Sequence, residues 1–242
     1  MNIYLTGGIG FIGSYVVKLL SDCGYAITVL AKNPFKIPEL AKLPGVCIIH
    51  ADMHNLASLT REIVKPDVLI HIALCWGDNG PEMIKNETLA SVQLIELAVS
   101  KGAKHFIYTS STAAAGYSLR LTDENSRLEP EDFFGASKGA VELFIKAYAR
   151  KYTECRFNII RPGYTFGNPI IPGASIEKDN RFKDICTKAK LNLPIDLIKN
   201  DGTQFIWAYD LARIYQCVVW IMEGGLERWL TLDYPTVPID GQ

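Results

Sequence analysis

A glycine-rich turn near the start of the chain is the clearest chemical feature of the sequence. Gly7, Gly10 and Gly13 recur at intervals of three residues, between a short apolar run (2–6) and a segment that is apolar at helical intervals (11–23). Glycine allows a positive φ and a close approach of the backbone to a ligand. The first turn of the following helix offers unpaired N–H groups to phosphate oxygens. This composition between a strand and a helix predicts a pyrophosphate-binding site rather than a plain connection.

Two other groups of residues suggest different chemistry, and neither is favoured. His50, Asp52 and His54 form a His-x-Asp-x-His run, but no Cys or Glu cluster accompanies it, so we predict no metal site there. Ser111 as a hydrolase nucleophile would need a histidine base and a G-x-S-x-G turn. That turn is absent, and His105 is near Ser111 only in sequence.

The elements that must position these residues alternate along the chain. Short apolar runs cover residues 2–6, 26–30, 46–51, 68–73, 106–110 and 156–160. Segments that are apolar at helical intervals cover residues 11–23, 56–64, 85–100 and 138–152. Alternating strands and helices predict a parallel sheet covered on both faces, and continuous apolar runs such as 68–70 fit strands that are buried on both sides. The predicted fold class is α/β, with a Rossmann-type doubly wound parallel sheet.

The segment after Arg161 differs in composition. Prolines and glycines are frequent at first, at positions 162, 163, 167, 169, 172 and 173, and short pieces follow. Ligands of open α/β folds bind at the carboxyl edge of the sheet, so we predict a small substrate-binding lobe over that edge. The predicted organisation is a dinucleotide-binding Rossmann domain at residues 1–165 and a lobe at 166–242 that is interleaved with the last sheet elements.

Composition and charge exclude several classes of protein. The 242 residues are 48% hydrophobic and 21% charged, with a formal net charge of −1, which does not fit a nucleic-acid binder. No apolar run approaches the roughly 20 residues of a membrane helix, and no signal peptide is evident at the start. The six cysteines are scattered without a CxxC pair, which favours free thiols in a reducing compartment. We expect a soluble, cytoplasmic protein.

Further motifs follow the glycine turn in an order that resembles the extended short-chain dehydrogenase/reductase family, in particular its NAD-dependent epimerases and dehydratases. The G-x-x-G-x-x-G spacing, an Asp-Met pair at 52–53, an Arg-Pro turn at 161–162 and a late segment at 207–212 all have counterparts in that family. The resemblance extends from Met1 to about Ala212. It implies that NAD(P) binds along the carboxyl edge of the sheet.

The resemblance assigns cofactor contacts to individual positions. Asp52 and Met53 correspond to the pair that binds the adenine, and segment 71–74 corresponds to the stretch that lies against the adenosine and the pyrophosphate. Asn86 corresponds to a structural asparagine near the cofactor. The implied cofactor-binding residues are Gly7, Gly10, Phe11, Ile12, Gly13, Lys32, Asp52, Met53, Ile72, Ala73, Leu74, Asn86, Lys138 and Pro162.

The catalytic part of the pattern contains one substitution. In the family, a Tyr-x-x-x-Lys pair on one helix face and a serine carry out the proton transfer. The lysine lowers the pKa of the tyrosine and binds the nicotinamide ribose, and the serine binds the substrate oxygen. Ser111 and Lys138 match these positions, but Phe134 occupies the position of the tyrosine. A phenyl ring exchanges no proton. Without another proton donor, the loss of the tyrosine hydroxyl lowers the reaction rate by about 10²–10⁴-fold.

Two tyrosines are candidates for a substitute proton donor. Tyr164 follows the Arg-Pro turn at 161–162, where the family usually has a residue that contacts the substrate, and Tyr117 follows the serine-rich strand end. A packing or surface role is the alternative for both, and Lys138 can serve cofactor binding alone. The candidate catalytic residues are Ser111, Lys138 and Tyr164.

The end of the second strand indicates which nicotinamide cofactor is bound. An acidic residue there would bind the ribose hydroxyls of NAD and repel a 2′-phosphate. This chain has Ala31 in that position and Lys32 next to it, and a lysine can bind a phosphate as a point charge. A solvated surface role is the alternative for Lys32. We predict that NADP(H) is favoured over NAD(H).

Two main functions remain open, and a non-redox reaction on the same scaffold, such as an elimination or a cyclisation, is a third alternative. The first is an enzyme of the epimerase, dehydratase or reductase type that acts on a hydroxyl or carbonyl group of a small molecule, with nucleotide sugars as one candidate class. The short stretch after Phe166 argues for a smaller substrate. The second is a catalytically silent NAD(P)-binding module with a structural or sensing role, which Phe134 motivates. The resemblance also implies a homodimer formed through the helices at 85–100 and 138–152.

Overall fold

The structure is a computed structural model that describes residues 1–117, 123–175, 181–197 and 204–221, together with the backbone of 231–232. The strands of its main sheet are β1 (Asn2–Thr6), β2 (Ala26–Ala31), β3 (Val46–His50), β4 (Val68–His71), β5 (His105–Thr109), β6 (Arg156–Ile160) and β9 (Thr231–Leu232). Within the described residues, these seven strands lie in the order β3-β2-β1-β4-β5-β6-β9, and every neighbouring pair is parallel.

Helices cover both faces of this sheet. They are α1 (Phe11–Asp22), α2 (Leu56–Glu62), α3 (Gly80–Met83), α4 (Ala90–Ser100), α5 (Phe133–Lys151), α6 (Arg181–Lys190) and α7 (Ala208–Trp220), with 3₁₀ turns at Pro38–Lys42 and Thr112–Ala114. One apolar core contains Val16 of α1 and Leu211 of α7, and a second contains Leu59 of α2, Leu94 of α4 and Val141 of α5. The predicted Rossmann-type α/β sheet is confirmed.

Two helices begin at residues other than the predicted ones. The helix expected at 138–152 begins at Phe133, because the Asp132 carboxylate accepts a hydrogen bond from the Gly135 N–H at 2.6 Å and caps the helix there. The α-helix expected at 85–100 begins at Ala90, directly after a π-helix at Ile84–Leu89. A π-turn contains more residues than an α-turn and often marks a functional site.

The segment after Arg161 begins with a small second sheet. Strands β7 (Tyr164–Phe166) and β8 (Phe205–Trp207) are parallel, and Phe182 of α6 packs against Phe166 and Phe205 with ring centroids 4.7 and 5.2 Å apart. After β8, helix α7 returns to the main core. The predicted boundary between residues 165 and 166 falls inside β7, and the division into two domains stays a prediction.

The strand order places a crevice between β1 and β4. From β1 the chain continues through β2 to β3 on one side, and from β4 through β5 to β6 on the other. The connections therefore diverge where β1 and β4 meet, and open α/β sheets bind ligands at the carboxyl ends of strands at such a point. A search of the described residues for a helix long and apolar enough to cross a bilayer finds none.

Candidate functional site

The glycine turn lies at the carboxyl end of β1, and its glycines are required by close backbone contacts. Gly7 has a φ of +77°, and a Cβ there would lie 2.5 Å from the Ala73 amide nitrogen. A Cβ on Gly13 would lie 2.1 Å from the Gly7 carbonyl oxygen. Gly10 is less crowded, with that same oxygen at 3.1 Å from an added Cβ. The turn is thus compact on its protein side, with Gly7 and Gly13 at the points of closest approach.

Helix α1 begins directly after this turn with its first N–H groups available. Gly10 is the N-cap, and no side chain within the described ranges caps this helix end. Phe11 is buried and Ile12 packs against the first core, which anchors the helix start. Backbone N–H groups at a helix start, together with the helix dipole, bind phosphate oxygens. The turn therefore fits a pyrophosphate, as its composition predicts.

The ends of β2 and β3 bring two further candidate residues together. The Lys32 ammonium lies 3.2 Å from a carboxylate oxygen of Asp52, and 78% of the lysine side chain is exposed. The backbone N–H of His54 donates to Asp52 at 3.0 Å, and this bond, with the charge of Lys32, holds the pKa of Asp52 below its usual value. Met53 packs against the second core. The charged rim formed by Lys32 and Asp52 faces solvent.

The loop after β4 lies against the glycine turn. The Ala73 N–H donates to the Thr6 hydroxyl at 3.3 Å, while Ile72 is buried and Leu74 is 46% exposed. Beneath this loop, the His71 ring bonds to the Thr6 hydroxyl at 2.7 Å and to the Ser91 hydroxyl at 2.9 Å. Burial and the charge of Lys138 lower the pKa of His71 to about 3, so the ring is neutral.

Residues around the start of α5 form the second half of the site. A Cβ on Gly135 would lie 2.2 Å from the Ala113 carbonyl oxygen, so α5 packs closely on the 3₁₀ turn at Thr112–Ala114. The Ser111 hydroxyl accepts the Ala113 N–H at 3.1 Å and caps that turn. The predicted positions Ser111 and Lys138 therefore lie on two elements in direct contact.

Phe134 is buried under an aromatic stack. Its ring is 6% exposed and lies nearly parallel to the Trp76 ring, with centroids 3.9 Å apart and an interplanar angle of 16°. Trp76 belongs to the loop after β4 and is itself 69% exposed. The position of the expected tyrosine is thus filled by an apolar contact with the loop that borders the glycine turn.

Lys138 is held by a partner that sequence reasoning missed. Its ammonium donates to a Glu87 carboxylate oxygen at 2.6 Å and to the Thr109 carbonyl oxygen at 3.1 Å. Both charged side chains are almost fully buried, at 1% and 2% exposure. Glu87 lies in the π-helix, next to the predicted Asn86, whose carbonyl oxygen bonds to the His54 ring at 3.2 Å. A glutamate within a helical segment gives no sign in sequence of pointing inward.

A second buried ion pair, between Arg161 and Glu142, lies next to the candidate site. The Arg161 guanidinium bonds to both carboxylate oxygens of Glu142 at 2.9 and 2.6 Å, and the Ser110 hydroxyl donates to the same carboxylate. This cluster joins α5 to the ends of β5 and β6. It therefore holds the backbone immediately before Ser111 and Pro162, two of the predicted site residues.

The tyrosine candidates occupy different surroundings. The Thr112 N–H donates to the Pro162 carbonyl oxygen at 3.2 Å, which brings the chain before Tyr164 next to the turn that follows Ser111. Tyr164 is partly buried, and its ring packs edge-on against Phe205 at 5.5 Å. Tyr117 is 63% exposed. The role of either tyrosine as a proton donor stays a prediction.

His105 lies at the opposite end of β5 from Ser111. Its ring bonds to the Asn158 side chain at 2.7 Å, and burial lowers its pKa to about 4. This placement agrees with the rejection of a Ser-His hydrolase.

Comparison with known proteins identifies a family model and several relatives that the chain resembles. Residues 3–225 match the sequence profile of the NAD dependent epimerase/dehydratase family. The chain is 27% identical over 170 residues to the probable UDP-glucuronate 4-epimerase of Rhizobium meliloti (strain 1021), which covers 63% of this chain and 50% of that protein. It is 31% identical over 249 residues to the trifunctional UDP-glucose 4,6-dehydratase/UDP-4-keto-6-deoxy-D-glucose 3,5-epimerase/UDP-4-keto-L-rhamnose-reductase of Arabidopsis thaliana, over 90% of this chain and 35% of that one. The chain thus spans half of the first relative and about a third of the second.

Two solved structures share the fold. UDP-galactose 4-epimerase superposes with a TM-score of 0.78 at 20% identity, over 98% of this chain and 78% of that one. The UDP-glucose 4-epimerase of Thermus thermophilus, solved in complex with NAD, superposes with a TM-score of 0.73 at 19% identity, over 96% and 77% of the two chains. At these identities the likeness shows the fold alone. The resemblance drawn from the sequence motifs is confirmed by the family profile.

Proposed function

Because the chain belongs to the NAD dependent epimerase/dehydratase family, we propose that it binds an NAD(P) cofactor along the carboxyl edge of the sheet and acts on a hydroxyl or carbonyl group of a small molecule. The observation that carries this proposal is the turn between β1 and α1. Its backbone approaches closely only because Gly7 and Gly13 lack a Cβ, and the uncapped helix start fits a pyrophosphate.

The remaining contacts with the cofactor are assigned by position. Asp52 and Met53 are the proposed contacts of the adenine, and segment 72–74, which borders the glycine turn, is the proposed contact of the adenosine and the pyrophosphate. Asn86, Lys138 and Pro162 are proposed contacts toward the nicotinamide. When bound, the nicotinamide supplies or accepts a hydride.

The chain's own residues then orient the substrate and move the proton. The Ser111 hydroxyl would bind the substrate oxygen, and Lys138 would orient the cofactor ribose. In carbonyl reduction, Tyr164 or a water molecule would deliver the proton to the oxygen that Ser111 binds. Support for Tyr164 is its link, through Pro162 and Thr112, to the turn that follows Ser111.

Nucleotide sugars are the proposed substrate class. Support comes from relatives whose names specify UDP-sugar epimerases and dehydratases. The proposed site of action is the cytoplasm, a reducing compartment in which the six free cysteines would stay reduced.

We also propose that NADP(H) is bound more tightly than NAD(H). Ala31, which is 3% exposed, ends β2 without a carboxylate that would repel a 2′-phosphate. The exposed Lys32 ammonium lies beside Asp52 at the rim where the adenosine ribose would be. A titration in which NADH binds more tightly than NADPH would overturn this preference.

A homodimer is the proposed assembly. Leu143 and Phe144 of α5 are 59% and 48% exposed, and Leu89, just before α4, is 48% exposed. Apolar side chains at such exposure on neighbouring helices favour burial against a second copy.

The test of the function is cofactor binding together with turnover. NADPH and NADH are titrated into the purified protein by fluorescence. Oxidation of the reduced cofactor is followed with a panel of carbonyl compounds, and reduction of the oxidised cofactor and conversion of the sugar are followed with sugar nucleotides. Binding with turnover is the expected result. Absence of binding would overturn the proposal.

A second candidate is a catalytically silent NAD(P)-binding module. The specific observation in its favour is Phe134, which removes the expected proton donor and is stacked under Trp76. The family relatives do not favour it, since their names describe catalysts. Cofactor binding without turnover of any compound in the panel is the result that it predicts.

A further inference from the structure

The buried ion pair between Lys138 and Glu87 is the feature of this site that neither the sequence motifs nor the comparisons assign. One carboxylate oxygen of Glu87 accepts the Lys138 ammonium at 2.6 Å, and the other accepts the Cys75 N–H at 2.6 Å. The same glutamate therefore contacts the catalytic lysine position on α5 and the loop that borders the glycine turn.

The surroundings of Lys138 leave Glu87 as its counter-ion. Of the two buried glutamates among the described residues, Glu87 contacts the ammonium, whereas Glu142, four residues after Lys138 on α5, is bonded to Arg161. The ammonium also donates to the Thr109 carbonyl oxygen, and the centroids of the Tyr108 and Phe134 rings lie 5.0 and 5.6 Å from its nitrogen. His71 is close enough for the lysine charge to lower its pKa, and it is neutral. Because a buried cation requires a partner, Glu87 balances the lysine charge locally.

Neutralisation of Lys138 reduces its effect on the pKa of a neighbouring hydroxyl group. An unneutralised cation lowers the pKa of an adjacent phenol, and a carboxylate bonded to that cation offsets the effect. The site therefore combines two features that act against proton transfer, the phenyl ring of Phe134 in place of the expected tyrosine and the carboxylate of Glu87 beside the lysine. The loop is tied to both, through the Cys75 N–H and through the stack of Trp76 on Phe134.

We propose that Glu87 is a positioning residue that neutralises Lys138 and couples it to the loop at residues 75–76. The lysine then orients the cofactor without activating a proton donor. Restoring the tyrosine by Phe134→Tyr alone consequently leaves the site impaired, and the charge of Glu87 must also be removed. The part of this inference that concerns the cofactor rests on the proposed function, whereas the ion pair and its coupling do not.

The first test measures how far the ion pair protects Lys138 from chemical modification, without any cofactor. Lysine acetylation by low doses of acetic anhydride is followed by mass spectrometry in the wild type, Glu87→Gln, Glu87→Asp and the control Glu82→Gln, which changes an exposed glutamate nearby. Lys138 is expected to react several-fold faster in Glu87→Gln, relative to the exposed Lys146 of the same helix. Protection is expected to persist in Glu87→Asp and in Glu82→Gln. Equal Lys138 reactivity in the wild type and in Glu87→Gln would overturn the proposal.

A double substitution keeps the test decisive if Glu87→Gln does not fold. Lys138→Met/Glu87→Gln, which removes both charges, is expected to fold and to have a Tm several degrees above that of Lys138→Met, because neither partner is left buried and unpaired. A double variant with a Tm no higher than that of Lys138→Met would show that the charges are not coupled, and the inference would fail.

The second test measures, by the turnover rate, whether Glu87 and the side chain at position 134 are coupled. Wild type, Phe134→Tyr, Glu87→Gln and the double variant Phe134→Tyr/Glu87→Gln are compared for NADPH affinity and for reduction of the carbonyl panel. The double variant is expected to turn over about tenfold faster than Phe134→Tyr, which is a part of the roughly 10²–10⁴-fold that a positioned proton donor contributes. Equal turnover of these two variants would contradict the role of Glu87, while failure of all four proteins to bind NADPH would instead contradict the proposed function.

Discussion

Single atoms decide the geometry of the glycine turn. Gly13 lies in the first turn of α1, and its missing Cβ leaves room for the Gly7 carbonyl oxygen, which also accepts the Gly10 N–H at 2.9 Å. Gly7 is limited both by its positive φ and by the Ala73 backbone. A side chain at either position would have to displace backbone atoms rather than the end of a flexible side chain. Gly7 and Gly13 therefore tolerate no other residue without movement of the turn.

We expect Gly13→Ala to destabilise the protein by about 1–3 kcal/mol, the range for overpacking a tight site, and to weaken NADPH binding. The matched control is Gly139→Ala within α5, where an added Cβ meets Leu128 at an ordinary 3.6 Å. That control is expected to be neutral or to stabilise by up to about 1 kcal/mol, since alanine is the better helix former. Urea unfolding and fluorescence titration measure both effects. Unchanged NADPH affinity in Gly13→Ala would contradict the assignment of the turn.

Lys32 provides the residue-scale test of cofactor choice. Lys32→Gln is expected to weaken NADPH binding about tenfold, the usual worth of a hydrogen bond to a charged group, and to leave NADH binding nearly unchanged. Stability should hardly change, because the lysine is exposed and its ion pair with Asp52 is at the surface. Lys42→Gln, at another exposed lysine, is the control. Parallel loss of affinity for both cofactors would indicate that Lys32 acts on the fold rather than on the 2′-phosphate.

Buried polar side chains connect the elements around the site. His71 at the end of β4 bonds to Thr6 at the end of β1 and to Ser91 of α4, so one ring links two strands and a helix. Both ring nitrogens have partners, one on each side. The network fixes the carboxyl ends of β1 and β4, between which the crevice lies.

Acidification should weaken this network. The pKa of His71 is about 3 in the folded protein and 6.5 for an unperturbed histidine, so between these values the unfolded chain binds a proton that the folded chain does not. The contribution to stability is complete above pH 6.5 and is lost progressively below it, by roughly 3 kcal/mol at pH 4.

Thermal unfolding from pH 7 to pH 4 measures this loss. His71→Gln should show a flatter dependence of Tm on pH, although His105, with a pKa of about 4, retains a smaller dependence of the same sign. His54→Gln, at an exposed histidine, should behave as the wild type. An equally steep pH dependence in His71→Gln would exclude the buried ring as its source.

Sequence patterns predict these elements unevenly. The strands at 2–6 and 156–160 are found with their exact bounds, because continuous apolar runs are typical of strands buried on both faces. The glycine turn is equally clear, since spacing and setting agree. The contacts of Glu87 are not predictable, because one extra residue in a helical segment leaves no trace in composition. The stack of Trp76 on Phe134 joins residues far apart in sequence, and only the folded chain brings them together.

At the scale of the whole molecule, different helices cover the two faces of the sheet. Helices α1 and α7 cover one face and close the first core, and α2, α4 and α5 cover the other. The exposed apolar side chains Leu143 and Phe144 lie on this second face, away from the glycine turn. Association through α5 would therefore leave the crevice between β1 and β4 open.

We expect Phe144→Glu to convert a dimer into a monomer, because it introduces a charge into the apolar surface that the second copy would bury. Size-exclusion chromatography with light scattering measures the change in mass. Lys146→Glu, at an exposed position on another side of the same helix, is the control and should remain dimeric. A wild-type protein that elutes as a monomer at all concentrations would contradict the proposed assembly.

The π-helix at Ile84–Leu89 also bears on how such a site can arise. In an α-helix, one additional residue rotates everything beyond it by about 100°, which would turn the apolar face of α4 away from the core. The wide turn confines that rotation to itself, so Leu94 and Ile95 remain packed while Glu87 points toward Lys138. One added residue that is accommodated in this way brings a carboxylate to the lysine while the surrounding core stays packed.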